Sequence, residues 1–284
     1  MRILIKKSTF FEYIIALAII LDCNSVWNNL VETRTWFQLA VMIMLLVGVT
    51  GFLFFSRGIP KNTFCVIILI ILYYFLFVLL NGNSIIQTVL NIMLSCVLIG
   101  VYNMAKNQNG NVADLLVCFK NIMLFVAVIS LIFWFAGSVF EIIQPTGTSL
   151  TNWTGNNNQT IMKSYFGVYY SYQRISFFNK LNIVRNIAIF NEAPMASLCF
   201  SLGLMVELLC CEKWKKRNCV VLVVAILSTF STTGYIIATV VCVYKYIKSN
   251  SQYSVIRLIK RLCVPVMICV VLIIANSLIQ EKLS

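Results

Sequence analysis

The chain contains no histidine, and only nine of its 284 residues are acidic. The first absence removes the commonest metal ligand and the commonest general base near neutral pH. The second leaves few carboxylates for acid–base chemistry. Charged residues of both signs make up 11% of the sequence, too few to cover the surface of a soluble domain of this length. No pair of the eleven cysteines shows C-x-x-C spacing, and the count is odd. Cys65, Cys96, Cys118, Cys199, Cys242, Cys263 and Cys269 fall within apolar runs, which marks them as small hydrophobes rather than bridges or ligands.

Apolar residues are abundant, at 60% of the chain with a mean hydropathy of +0.90. Runs long enough to cross a bilayer core are expected at about Phe10–Cys23, Trp36–Phe55, Phe64–Leu80, Ser84–Tyr102, Asn121–Phe140, Ile189–Cys211 and Leu262–Gln280. The expected fold is therefore an all-α polytopic integral membrane protein forming one membrane domain, residues 1–284. It would have about nine transmembrane helices, counting a short broken hairpin described below. The first run carries Glu12 and lacks a small-residue cleavage site, so it is not a removable signal. In a soluble chain the net charge of +13 would point to nucleic acid. Here it is the positive-inside signal, and no nucleic-acid partner is expected. With the N-terminus in the cytoplasm, most of the basic residues lie inside, from Arg2, Lys6 and Lys7 to Arg257, Lys260 and Arg261.

Two segments depart from the pattern of spans and short turns. The first is the long connection Glu141–Ala188, which the charge bookkeeping puts outside the cell. It is rich in aromatics, and its second half, "SYQRISFFNKLNIVRN", places Ile175, Phe178 and Leu181 at helical spacing between Arg174, Lys180 and Arg185. An amphipathic helix lying in the outer interface is expected there.

The second is the apolar stretch Cys219–Ile247, flanked by "KWKKRN" and "KYIKSNSQYSVIRLIKRL". A single crossing would send one basic cluster outside. Two crossings need a turn, and "STFSTTGY" at Ser228–Tyr235 supplies it. Each arm then has about 13 residues, ~20 Å, short of the ~30 Å core. A sunken hairpin facing an outward cavity near Ser231–Gly234 follows, because exposed backbone at that depth needs protein or water around it. A single long tilted helix, with Ser and Thr bonded to the preceding turn, is the alternative.

Most of the acids sit in loops or at span ends, where solvation accounts for them. Glu12 has Lys6 and Lys7 nearby, and Glu207 can reach toward Lys213. Glu192 differs, because "NEAP" opens an apolar run. Pro194 and an acid both suit the first turn of a helix, but neither explains the neighbouring Arg185 and Asn191. Arginines beside a wet cavity suit a phosphate or pyrophosphate, and exposed tyrosines suit sugar faces. An interfacial belt of cations and aromatics explains the same composition equally well.

The combination of "VRNIAIFNEAPM", a span, a basic turn and "STFSTTGY", with the early "IIALAIILDCNSVW", resembles the Wzy-type repeat-unit polymerases of capsule, exopolysaccharide and O-antigen synthesis. These are relatives of the O-antigen ligases and glycosyltransferases of the GT-C class. The resemblance implies transfer of a growing glycan from its polyprenyl-pyrophosphate carrier to a newly flipped lipid-linked repeat unit on the outer face of the cytoplasmic membrane. Donor and acceptor oligosaccharide lipids, the bilayer, and the flippase and chain-length regulator of the same pathway are the implied partners. No cofactor or metal is implied.

It assigns Arg185 to the donor pyrophosphate and Glu192 to the acceptor hydroxyl as general base, or to orienting Arg185. Arg174 and Lys180 would assist with phosphate, beside Tyr172 and Asn191. Ser231, Thr232, Thr233 and Gly234 would form the cavity wall. The chain resembles the first two-thirds of a polymerase and stops where a second long outer loop is expected, which points to a C-terminally truncated product. A lipid-linked oligosaccharide flippase or another transporter is the alternative, although no second broken segment forms an internal repeat. A structural membrane partner is a third.

Overall fold

A computed structural model describes residues 7–56, 60, 62–81, 86–111, 113–152, 159–177, 181–211 and 213–249. The run expected at Leu262–Gln280 and the proposed phosphate ligand Lys180 lie outside these residues. Eight α-helices carry most of the described chain: α1 (Lys7–Asp22), α2 (Arg34–Phe55), α3 (Thr63–Asn81), α4 (Ile86–Asn109), α5 (Ala113–Phe133), α6 (Ala193–Leu209), α7 (Lys216–Ser228) and α8 (Thr232–Ser249). Three of the described helices, Arg34–Phe55, Thr63–Leu80 and Ala113–Val139, are long and apolar enough to cross a bilayer, and they mark the chain as a membrane protein. The expectation of about nine spans is corrected. Helices α1, α6 and α7 have 16, 17 and 13 residues, and α4 is diluted by Asn91, Ser95, Asn103, Lys106 and Asn107.

The all-α expectation also fails. Residues 141–188 build five strands: β1 (Gly147–Thr151), β2 (Thr160–Tyr165), β3 (Tyr169–Ser171), β4 (Arg174–Phe177) and β5 (Leu181–Val184). The first three form an antiparallel sheet in the order β1-β2-β3, and the last two pair antiparallel. The expected interfacial helix is thus a strand pair, with Arg174 opposite Val184 and Phe177 opposite Leu181. Aromatic and β-branched side chains at Ile175, Phe177, Ile183 and Val184 favour a pleated backbone over a helical one, and pairing satisfies their N–H and C=O groups.

The chain divides into two compact units. One comprises residues 1–22 and 33–119, the other residues 23–32 and 120–284. In the first, α1 packs on α2, which also packs on α4, and α3 packs on α4. A buried ion pair joins α1 to α4, where the Glu12 carboxylate accepts from Lys106 Nζ at 2.6 Å and from the Tyr102 hydroxyl at 3.1 Å. Lys106 also reaches Asp114 at 2.7 Å. Among the described residues the cation on Glu12 is therefore Lys106 rather than the neighbouring lysines. A carboxylate 1% exposed needs such a partner, since burying an isolated charge is prohibitive.

In the second unit, α6 is flanked by α7 and α8. Asn218 donates to Glu207 at 3.3 Å and Leu222 lies beside Gly203, so α7 runs antiparallel to α6. Gly234 lies against Ser197 and Lys245 Nζ donates to the Leu208 carbonyl at 2.6 Å, so α8 runs parallel to α6. Helices α7 and α8 therefore form a hairpin, turned at residues 229–231, where Phe230 has φ 48°. The first arm has 13 residues and the second 18, longer than expected. The base of α6 carries a second buried ion pair, Glu207 with Lys120 at 2.8 Å. Glu207 also accepts the Lys215 backbone N–H at 2.6 Å.

Candidate functional site

The site is built where the hairpin turn meets the segment leading into α6, within the second unit. Helix α7 ends at Ser228, and its last carbonyls have no partner inside the helix. Residues 185 and 186 supply them. The Asn186 backbone N–H donates to the Ser228 carbonyl at 3.0 Å, and Arg185 Nε donates to the Thr229 carbonyl at 2.9 Å. Arg185 Nη2 donates to the Phe230 carbonyl at 3.1 Å. A cation at a helix C-terminus also complements the dipole. The Asn186 amide, fully buried, donates to the hydroxyls of Ser228 at 2.9 Å and Ser130 at 3.3 Å. Burial pushes the Arg185 pKa below its ordinary value, against the opposing pull of Tyr235, Tyr172 and Glu192.

The loop after α1 closes the other side. Asn191, buried, donates from its amide to the carbonyls of Asn24 at 2.9 Å and Ser25 at 3.0 Å. Asn24, itself in the left-handed region at φ 60°, braces Asn29 at 2.9 Å through its side-chain oxygen. The Asn191 Oδ1 atom is buried with no hydrogen-bond partner among the described residues. Tyr172 donates to the Asn191 carbonyl at 2.7 Å and accepts from Gln173 Nε2 at 2.9 Å; burial pushes its pKa up.

Gln173 Oε1 accepts the Ala193 N–H at 3.1 Å, satisfying the first orphan donor of α6. Glu192 is the N-cap of α6, with extended backbone and no side-chain cap bond. The residue is half-buried, and its carboxylate acts electrostatically on Arg185 and Tyr172.

Beside this knot lies a cavity of about 250 Å³. Helix α5 runs into a π-helical stretch, Trp134–Val139, whose Gly137 and Ser138 form one wall. A side chain at Gly137 would collide with the Tyr165 ring, 2.7 Å from the position of a Cβ. The Tyr165 hydroxyl also bonds the Gly137 carbonyl at 3.3 Å. Trp134 fastens this stretch to β5 through its indole N–H and the Val184 carbonyl, 2.8 Å. Trp134, Tyr165 and Tyr169 form a buried aromatic cluster against which Phe230 of the hairpin turn packs.

Of the residues singled out from the sequence, Tyr172 and Arg174 line the cavity. Arg185, Asn191 and Glu192 belong to the adjacent knot. Ser231 and Gly234 are buried, Thr232 is half-buried and Thr233 is exposed, and none of the four lines the cavity. Gln173, Asn186, Asn24 and Lys163 were not singled out, although each is placed as closely as the expected set. Lys163 had one usable signal: it stands at an alternating position of β2, between Ile161 and Tyr165. Compared with known protein families, curated proteins and solved structures, the chain matches none.

Proposed function

We propose that the chain is an integral-membrane glycosyltransferase that joins polyprenyl-pyrophosphate-linked oligosaccharide repeat units on the outer face of the cytoplasmic membrane. One observation carries the reading: the three sequence stretches that resemble the repeat-unit polymerases meet in a single hydrogen-bonded knot. Asn24 of "DCNSVW" is bonded by Asn191 of "NEAP", and Arg185 of "VRN" is bonded to the turn of "STFSTTGY". Residues so far apart have no local reason to interlock. A hairpin turn held rigid beside an aromatic, cation-bearing cavity is the preorganised setting that group transfer needs.

In this reading the acceptor hydroxyl attacks the anomeric carbon of the donor sugar. A new C–O bond forms as the bond to the pyrophosphate breaks, and polyprenyl pyrophosphate leaves. Glu192 takes the hydroxyl proton. Arg185 has two roles, fixing the turn through Nε and Nη2 and presenting Nη1 to the departing phosphate.

The test uses membranes carrying the chain, supplied with lipid-linked repeat units and resolved on a gel. Wild type is expected to give a ladder, and Glu192→Gln to slow it by about 10²–10⁴-fold with an unchanged unfolding midpoint. Arg185→Lys, which keeps the charge but not the forked geometry, is expected to weaken both the ladder and the fold. Wild-type protein that is folded and silent, or a Glu192→Gln variant of full rate, would overturn the proposal.

A further inference from the structure

Two exposed cations, Lys163 and Arg174, line the cavity. Strand β2 alternates so that Met162, fully buried, joins the core cluster with Val26, Tyr170 and Ile187, while Ile161, Lys163 and Tyr165 face the cavity. Lys163 pairs across the sheet with Ser171, which also lines the cavity, and Arg174 approaches from β4. Neither Lys163 nor Arg174 makes an ion pair or a side-chain hydrogen bond among the described residues. By contrast, the buried cations Lys106, Lys120 and Arg185 are all engaged.

Two independent features indicate that this concavity is shaped for an occupant. Its wall is a π-helical stretch, a rare element concentrated at functional sites. Its rim carries Glu141 at φ 53°, a conformation a non-glycine residue adopts at a cost of about 1–3 kcal/mol.

We propose that this cavity seats one sugar residue bearing a single carboxylate, so that the glycan handled by the chain contains an acidic sugar. Charge sets the class. Lys163 and Arg174 against Glu141 leave a lining of net +1 (two cations minus one acid), which complements a monoanion and disfavours a dianionic phosphate next to Glu141. Size sets the number of units, because about 250 Å³ falls below the ~300–1,000 Å³ of sites for larger ligands. Lining chemistry sets the rest. The half-buried Tyr172 ring offers a face for C–H edges, and Ser138, Gln144 and Ser171 offer hydroxyl partners. Glu141 accepts from sugar hydroxyls. The role of that sugar in polymerisation rests on the function proposed above, whereas the binding site stands on the cavity alone.

The experiment measures binding to the full chain purified in detergent, by ligand-observed NMR, with glucuronate, glucose and inorganic phosphate as probes. Glucuronate is expected to bind at least about tenfold more tightly than glucose, and phosphate is expected not to displace it. Lys163→Gln and Arg174→Gln are each expected to weaken glucuronate by about tenfold without moving the unfolding midpoint. Glu141→Gln is expected to raise the affinity for phosphate. Equal binding of glucose and glucuronate, displacement by phosphate, or no glucuronate binding would each overturn the proposal. Selective glucuronate binding by a chain that forms no ladder would instead sink the polymerase reading and leave the site standing.

Discussion

Helices α3 and α6 are both apolar, but in opposite settings. The crossing segment of α3 has a mean hydropathy of 2.9 and is only 6% buried; Phe64, Leu69 and Leu80 point away from the fold at 69%, 64% and 85% exposure. Helix α6 is buried along most of its length, yet it carries Ser197, Ser201, Gly203 and Glu207 among its buried residues. Hydropathy in these two helices therefore tracks exposure, not membership of the core. Lipid tails are as apolar as leucine, so helices packed within a bilayer gain little from more leucines and associate through small residues and polar bonds instead. The less apolar helix is the one that anchors the knot at Arg185 and Asn191.

The severest test of that contrast is to remove the polar hub of α6. Glu207→Leu strands Lys120 and leaves Lys215 N–H and Asn218 without their acceptor. The expected cost is about 3–5 kcal/mol, read from unfolding in mixed detergent. Adding Lys120→Met should restore most of it, because the uncompensated buried charge is then gone. A Glu207→Leu variant as stable as wild type would mean that the pair is solvated and that α6 is not a buried helix.

What was readable beforehand divides along the same line. The apolar runs at α2, α3 and α5 were legible because the apolar length needed to cross a bilayer is a property of composition. The hairpin was legible because basic flanks on both sides of Cys219–Ile247 forbid a single crossing, and "STFSTTGY" is the polar place to turn. The ion pairs were not, since Glu12 with Lys106 and Lys120 with Glu207 each join distant positions; local reasoning paired both acids with near neighbours. The strands of 141–188 were missed because Ile175, Phe178 and Leu181, at intervals of three, fit a helix face, whereas the period-two set that the strand pair uses, Ile175 and Phe177 opposite Ile183 and Leu181, competes with it in the same stretch. Arg185 was recognised as exceptional, but its bonds to the Thr229 and Phe230 carbonyls involve backbone acceptors, which no side-chain pattern reveals.

A second test compares identical substitutions on the two helices. Leu204 is fully buried and Leu69 is 64% exposed. Leu204→Ala should open a cavity and cost about 2–5 kcal/mol, whereas Leu69→Ala should stay within about 0.5 kcal/mol. Comparable losses at the two positions, by the same unfolding assay, would mean that the face of α3 is covered by protein rather than lipid.

The finest test adds one methyl group where α6 meets α8. A Cβ on Gly234 would fall on the Ser197 hydroxyl and lie 3.0 Å from Ser197 Cβ and 3.1 Å from Ile226 Cγ2. The hydroxyl has no hydrogen-bond partner among the described residues, so it can rotate away at little cost, but the two carbons cannot. Gly234→Ala is therefore expected to destabilise by about 1–3 kcal/mol through overpacking. Ser197→Ala in the same background should recover little of it, and Ser197→Gly most of it. If Ser197→Ala alone rescued Gly234→Ala, the obstruction would be the hydroxyl, and α6 and α8 would have room to separate. If only Ser197→Gly rescued it, backbone proximity would set the position of the hairpin turn, and with it the carbonyls that Arg185 holds.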